Sequence, residues 1–255
     1  MKFLQRIFQV IYSGYAIIVF VLVMLLIFPF VIVASFFGAI RGGNIIYRLC
    51  CFWADIWFPL IFIFHKKIYE SAHDPERAYI FLANHISYID SAVLVKAFRQ
   101  PVRPLGKAEI SRIPIFGFIY RKAIVTVDRS SAEQRAKSIR RLKSVIKKGI
   151  SVMMFPEGTF NTSGKPLKDF FDGAFRIAIE TQTPIKPVLF LDTFDRMHYR
   201  SLFSFTPGRS RIVYLDEISV QGLTLQDTHK LKATVHAVME QKLRAYKAAW
   251  IANAV

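Results

Sequence analysis

From Ile7 to Ile40 the chain carries no charged side chain. A helix over those 34 residues would be about 50 Å long against a hydrocarbon core of about 30 Å, so one straight crossing does not describe it. Pro29 offers a kink, Gly14 and Gly38 relax the run, and Lys2, Arg6, Arg41 and Arg48 flank it. Basic flanks on both sides place both ends at the cytoplasmic face. A second apolar stretch, Ile45 to Phe64, is broken by Arg48 and Asp55 and is rich in Trp and Phe, as in a helix lying at or dipping into the interface. Residues 1–64 are therefore expected to form a monotopic helical anchor, with a kinked single span as the other arrangement. A cleaved signal peptide has a far shorter apolar core.

Beyond Phe64 the pattern changes to short apolar runs alternating with amphipathic helices, an α/β arrangement. Residues 65–255 suit one compact domain. Lys and Arg number 35 against 18 Asp and Glu, a net charge of +17, so an anionic partner is expected. The uncharged start and the 15% aromatic content favour lipid over nucleic acid. The two cysteines, Cys50 and Cys51, are adjacent, which suits neither an ordinary disulfide nor a metal site. Tyr79–Ala83, Ile124–Val127, Ser151–Phe155, Val188–Leu191 and Arg211–Leu215 read as strands. A helix with capping-box spacing at Ser131 and Gln134, or at Ser130 and Glu133, runs to Gly149, its outer face basic from Arg135 to Lys148. Leu225–Trp250 reads as one long amphipathic helix.

Three of these strands end in residues that carry chemistry. Asn84-His85 follows the first, and Asp90 lies about one helical turn beyond His85, within reach of the imidazole. Imidazole accepts a proton near neutrality, and a carboxylate on its other nitrogen fixes the tautomer and steadies the imidazolium. The same spacing also fits a surface histidine beside a helix-start aspartate. Val127-Asp128-Arg129 ends another strand, where Arg129 either grips a phosphate or pairs with Asp128. Phe155-Pro156-Glu157-Gly158-Thr159 ends a third; its Pro and Gly bracket a tight turn that presents Glu157 outward and lets the Gly158 backbone approach a ligand. Ligands of α/β sheets sit at the carboxyl ends of strands, so these residues are expected to converge on one crevice.

In these blocks the chain resembles the membrane-bound glycerolipid acyltransferases, in particular bacterial lysophosphatidate acyltransferases. Asn84, His85 and Asp90 match the family's NHxxxxD block. Lys107, Glu109, Ile113, Pro114 and Gly117 match a second block, Asp128 and Arg129 a third, and Phe155 to Thr159 match FPEGT in full. Gly173 to Arg176, followed by Pro184-Ile185 and Pro187-Val188, is similar to the closing blocks, and the apolar start to the family's two-helix membrane motif. Two departures stand out: Phe160 and Asn161 occupy positions where arginine and serine are common.

The resemblance implies a glycerol-phosphate acyltransferase-like fold, a mixed β-sheet flanked by helices behind an N-terminal membrane-anchoring helical motif. It implies a transfer of an acyl chain from acyl-CoA or acyl-carrier protein to the hydroxyl of a lysophospholipid at the cytoplasmic face of the inner membrane. His85 and Asp90 would form the base, and Lys107 would serve the oxyanion or donor side. Arg129, Glu157, Gly158 and Thr159 would hold the acceptor, with Asn84 in support. No nucleophile elbow is present, so direct transfer without an acyl-enzyme is expected. No metal or cofactor is expected, because the remaining histidines (His65, His73, His198, His229, His236) lack ligand spacing. Loss of the cation at 160 leaves open an acceptor other than lysophosphatidate, such as an amino-acid-containing lysolipid. Two further readings are a thioester hydrolase and a non-catalytic basic membrane-binding protein.

Overall fold

The computed structural model describes residues 2–127 and 131–251. The uncharged run forms a single helix, α1 (Lys2–Ser35), which continues through Pro29. A five-residue π-helical turn, Gly38–Gly42, leads into α2 (Gly43–Leu60). The turn is tight enough that a Cβ on Gly42 would lie 2.4 Å from the Ala34 carbonyl, which only glycine avoids. α2 runs back antiparallel along α1. Trp57 Nε1 donates to Ala16 O at 2.9 Å, Trp53 Nε1 to Phe20 O at 3.3 Å, and Tyr15 Oη to Leu60 O at 2.9 Å.

Seven strands follow: β1 (Ile63–Tyr69), β2 (Ile80–Ala83), β3 (Val102–Lys107), β4 (Val125–Val127), β5 (Ser151–Met154), β6 (Ile185–Phe190) and β7 (Gly208–Tyr214). They form one sheet in the order β1-β7-β6-β2-β5-β3-β4. All neighbours are parallel except β6 and β7. β2, β5 and β6 are buried on both faces, as expected for central parallel strands covered by helices.

Helices α2, α3 (Asp90–Ala97) and α4 (Phe116–Ala123) cover one face. α1 lies outside α2, its buried stripe Tyr12, Ala16, Val23, Ile27, Val31 and Ala34 recurring at helical period in the same core as Phe81, Phe98 and Phe190. The other face carries α5 (Ala132–Ile146), α6 (Gly173–Thr181) and α8 (Thr228–Ala245). A short helix, α7 (Thr193–Arg196), lies between β6 and β7.

Three sequence expectations are corrected. The stretch Ile45–Phe64 is not one helix: α2 ends at Leu60, Phe62 turns left-handed (φ 53°) and β1 starts at Ile63. α2 is an internal layer with Ile46, Tyr47, Trp57 and Phe58 buried, and Asp55 is held by Arg99 at 2.6 and 2.7 Å and by Lys96. Strands β1 and β3 stand where none was expected. The C-terminal helix stops at Ala245, because Lys247 turns left-handed (φ 52°) and folds Trp250 inward, its indole N–H donating to Lys165 O and Pro166 O at 3.2 Å.

Candidate active site

The parallel strands β2 and β5 are neighbours, so their carboxyl ends open at one edge of the sheet. The chain leaves β2 at Asn84, which straps that end to β6: its Nδ2 donates to Phe190 O at 3.0 Å and its Oδ1 accepts from Phe190 N at 2.9 Å. With the strand end fixed, both backbone groups of His85 are also taken. His85 N donates to Glu157 Oε1 at 2.8 Å, and His85 O accepts from Asn161 N at 2.7 Å.

The imidazole is therefore held from its backbone outward. His85 Nδ1 lies 2.9 Å from Asp90 Oδ2, and the same oxygen accepts from Ile86 N and Ser87 N at 2.8 Å each. Asp90 is fully buried in the first turn of α3, where the helix dipole favours a carboxylate. Its Oδ1 is buried with no hydrogen-bond partner among the described residues. An ionised carboxylate only accepts, which assigns the proton to Nδ1 and leaves the Nε2 lone pair to take another. The ring is walled by aromatics: Phe155 stacks on it at 4.0 Å, Phe160 meets it edge-on at 4.4 Å, and Tyr88 abuts Phe160 at 4.7 Å. The His85 side chain is 16% exposed.

The FPEGT turn closes with Gly158 N donating to Phe155 O at 3.0 Å, with Pro156 at its second position and Gly158 at φ 71°. Glu157 does not point outward as expected. It is 1% exposed, one oxygen accepting from His85 N and the other from Lys168 N at 2.9 Å. Burial pushes its carboxyl up from 4.5 to about 7, outweighing the two backbone donors that pull it down, and the charge of Asp90 adds to the rise. Glu157 is thus a brace between the loop after β2 and the 161–172 segment. Thr159 is exposed, and its Oγ1 accepts from Lys168 Nζ at 2.7 Å.

Asn84, His85, Asp90, Glu157, Gly158 and Thr159 are thus gathered at one edge. Lys107 is exposed at the carboxyl end of β3, two strands from β2. Asp128 and Arg129 lie outside the described residues; β4, which precedes them, is three strands and roughly 14 Å from β2. Sequence reasoning missed the aromatic wall, the grip of Asn161 on His85 and the position of Lys168. The one signal for them was that Phe160 and Asn161 broke a pattern.

Known proteins resemble this chain in sequence and in fold. A family model described as Acyltransferase matches residues 64–191. An uncharacterized acyltransferase of Schizosaccharomyces pombe is 28% identical over 231 residues, 84% of this chain and 81% of that one. A 1-acyl-sn-glycerol-3-phosphate acyltransferase of Salmonella typhimurium is 31% identical over 169 residues, 64% of this chain and 66% of that one. The crystal structure of the 1-acyl-sn-glycerophosphate (LPA) acyltransferase, PlsC, from Thermotoga maritima is similar with a TM-score of 0.74 at 21% identity, covering 98% of this chain and 99% of that one. The likeness in fold therefore includes the N-terminal helices as well as the sheet.

Proposed function

The chain belongs to the acyltransferase family and is an O-acyltransferase of the glycerolipid kind, and on that premise we propose that it converts lysophosphatidate to phosphatidate. The observation that carries the reading is the His85–Asp90 contact at 2.9 Å, reinforced by two backbone donors on the same carboxylate oxygen. His85 Nε2 takes the proton of the acceptor hydroxyl as that oxygen bonds to the thioester carbonyl carbon. The C–S bond then breaks, and the imidazolium returns the proton to the leaving sulfur. Asp90 keeps the ring oriented and offsets its transient charge. The donor is acyl-CoA or acyl-carrier protein, no covalent acyl-enzyme forms, and no metal or cofactor takes part. Backbone N–H groups and Lys107 serve the oxyanion side.

The Gly158-Thr159 turn and Arg129 receive the acceptor headgroup, with Lys168 adding an ammonium at Thr159. Glu157 acts by bracing His85, a role its two backbone hydrogen bonds support. Residues 1–64 anchor the protein in the inner membrane at its cytoplasmic face, while residues 65–255 carry the chemistry. In support, α1 is long and apolar enough to cross a bilayer and keeps most of its apolar surface outward. One observation favours a second acceptor class. Phe160 packs on His85 and Tyr88, so an uncharged part of a lysolipid lacking a phosphate monoester would find an apolar contact there.

The test is transfer from a labelled acyl thioester to lysophosphatidate in vesicles, wild type beside His85→Ala. Transfer by the wild type and a loss of roughly a hundredfold or more in the variant are expected. Equal rates in the two proteins sink the assignment of the base. Transfer only to acceptors without phosphate selects the second reading, and release of free fatty acid without an acceptor selects a hydrolase.

A further inference from the structure

The segment between α7 and β7 folds back on itself, bridged by Met197 and Phe205. Its tip is closed by its own polar groups. Ser204 Oγ donates to Ser201 O at 2.6 Å and accepts from His198 N at 2.9 Å, and Phe203 N donates to Ser201 Oγ at 3.1 Å. The side chains of Leu202 and Phe203 take no part in that closure, and they stand 52% and 53% exposed beside the exposed Arg200. Two adjacent large apolar side chains at a self-supporting tip are a cost in water that the fold does not require.

The base of this loop is fastened to α1. Gln9 Nε2 donates to Ser204 O at 3.2 Å, Phe205 N donates to Ser13 Oγ at 3.0 Å, and the Phe205 ring lies edge-on to Trp57 at 6.0 Å. It therefore stands beside the first turns of α1, where Leu4, Phe8 and Ile11 are also exposed, with Arg6 among them. A cleft of about 700 Å³ separates the two elements, lined by Phe8, Tyr12, Phe205 and Pro207. On its other side the loop reaches the active site, where Ser87 Oγ donates to Met197 O.

We propose that residues 198–207 form a second membrane contact, with Leu202 and Phe203 entering the boundary between headgroups and acyl chains alongside the start of α1. The inference rests on the reading that α1 lies in the membrane. Continuity with the outward apolar face of α1 and the cationic fringe of Arg6 and Arg200 select an anionic lipid surface as the partner. The contact also gives the bilayer a hold on Met197, and through it on the loop that carries His85.

The test uses full-length protein reconstituted with vesicles of phosphatidylglycerol and phosphatidylcholine. Phe203→Cys in a Cys50→Ala/Cys51→Ala background carries an environment-sensitive fluorophore, with Gln221→Cys as the comparison site. The label at 203 is expected to shift to shorter wavelength and to be quenched by brominated lipid, while that at 221 stays quenchable by aqueous iodide. A label at 203 that stays in water while the protein sediments with vesicles overturns the loop contact alone. Failure to sediment overturns the membrane reading of α1 as well. Leu202→Ser/Phe203→Ser is further expected to lower transfer to vesicle-borne acceptor about tenfold and to leave transfer to detergent-dispersed acceptor within about twofold. An equal loss in both states marks a folding defect and overturns the proposal.

Discussion

Replacing Asp90 by Asn isolates the charge of the carboxylate from its shape. The Asn oxygen can still accept from Ile86 N, Ser87 N and His85 Nδ1, the three donors now within 2.9 Å of Asp90 Oδ2. What disappears is the negative charge that faces the ring once it has taken a proton. Two unit charges 2.9 Å apart attract by roughly 6 kcal/mol at an effective dielectric constant of about 20. The proton is only partly transferred when the acceptor oxygen attacks, so about half to two-thirds of that energy acts on the barrier. A loss of about 3–4 kcal/mol is a rate reduction of roughly a hundredfold to a thousandfold. The assay is transfer of labelled acyl chain to lysophosphatidate by Asp90→Asn, His85→Ala and the double variant, with melting curves to confirm that each is folded. Because the two side chains act as a unit, the double variant should be no slower than His85→Ala alone. A folded Asp90→Asn within about threefold of wild type, or losses that multiply in the double variant, would refute the pairing of base and orienter.

Two other outcomes follow from the same geometry. The carboxyl of Glu157 titrates at about 7 in the folded chain, above its ordinary 4.5, so the folded protein keeps a proton that the unfolded chain releases. Its contribution to stability is full below pH 4.5 and falls, by roughly 3 kcal/mol in all, as pH rises through about 7. Glu157→Gln should remove that slope in melting measurements between pH 5 and 8, and an unchanged slope would show that another group causes it. Lys168→Gln should raise KM for lysophosphatidate about fivefold with kcat nearly constant, since the ammonium at Thr159 is solvent-accessible and worth only a modest amount. Equal effects on acceptors with and without phosphate would remove Lys168 from headgroup binding.

The sequence made β2 and β5 legible because both are short runs, apolar but for Ser151, that are followed by residues unsuited to a strand interior, Asn84 and Pro156. It hid β1 because Ile63–Tyr69 begins inside the apolar stretch Ile45–Phe64 and then carries Lys66 and Lys67. β3 was hidden by composition: Arg103, Pro104 and Gly106 read as a loop. Gly106 is in the strand because Tyr120 packs against it, and a Cβ there would lie 2.0 Å from the Tyr120 hydroxyl. That contact between distant residues has no local signature. The Asn-His block and its Asp five residues on placed the imidazole and carboxylate within reach, but a loop rather than a helical turn joins them, held by the Ile86 and Ser87 amides on the Asp90 carboxylate. The direction of Glu157 was not legible, because Pro156 and Gly158 specify a turn without saying which way its middle side chain falls. The neighbours of Phe160 were equally hidden, being set by two loops that meet only in the folded chain.

The pairing of β1 with β7 bears on how the chain is made. β1 is an edge strand whose neighbour in the sheet, from Ile63 against Gly208 to Tyr69 against Tyr214, is the last of these seven strands to leave the ribosome. The hairpin of α1 and α2 emerges before the sheet and can settle at a membrane at once, but its inner face must wait for most of the sheet to be translated. Closing so long a loop carries an entropic cost that only the completed sheet offsets. Membrane capture would then come before enzymatic competence, and nascent chains stalled before residue 208 should be membrane-bound, open and inactive.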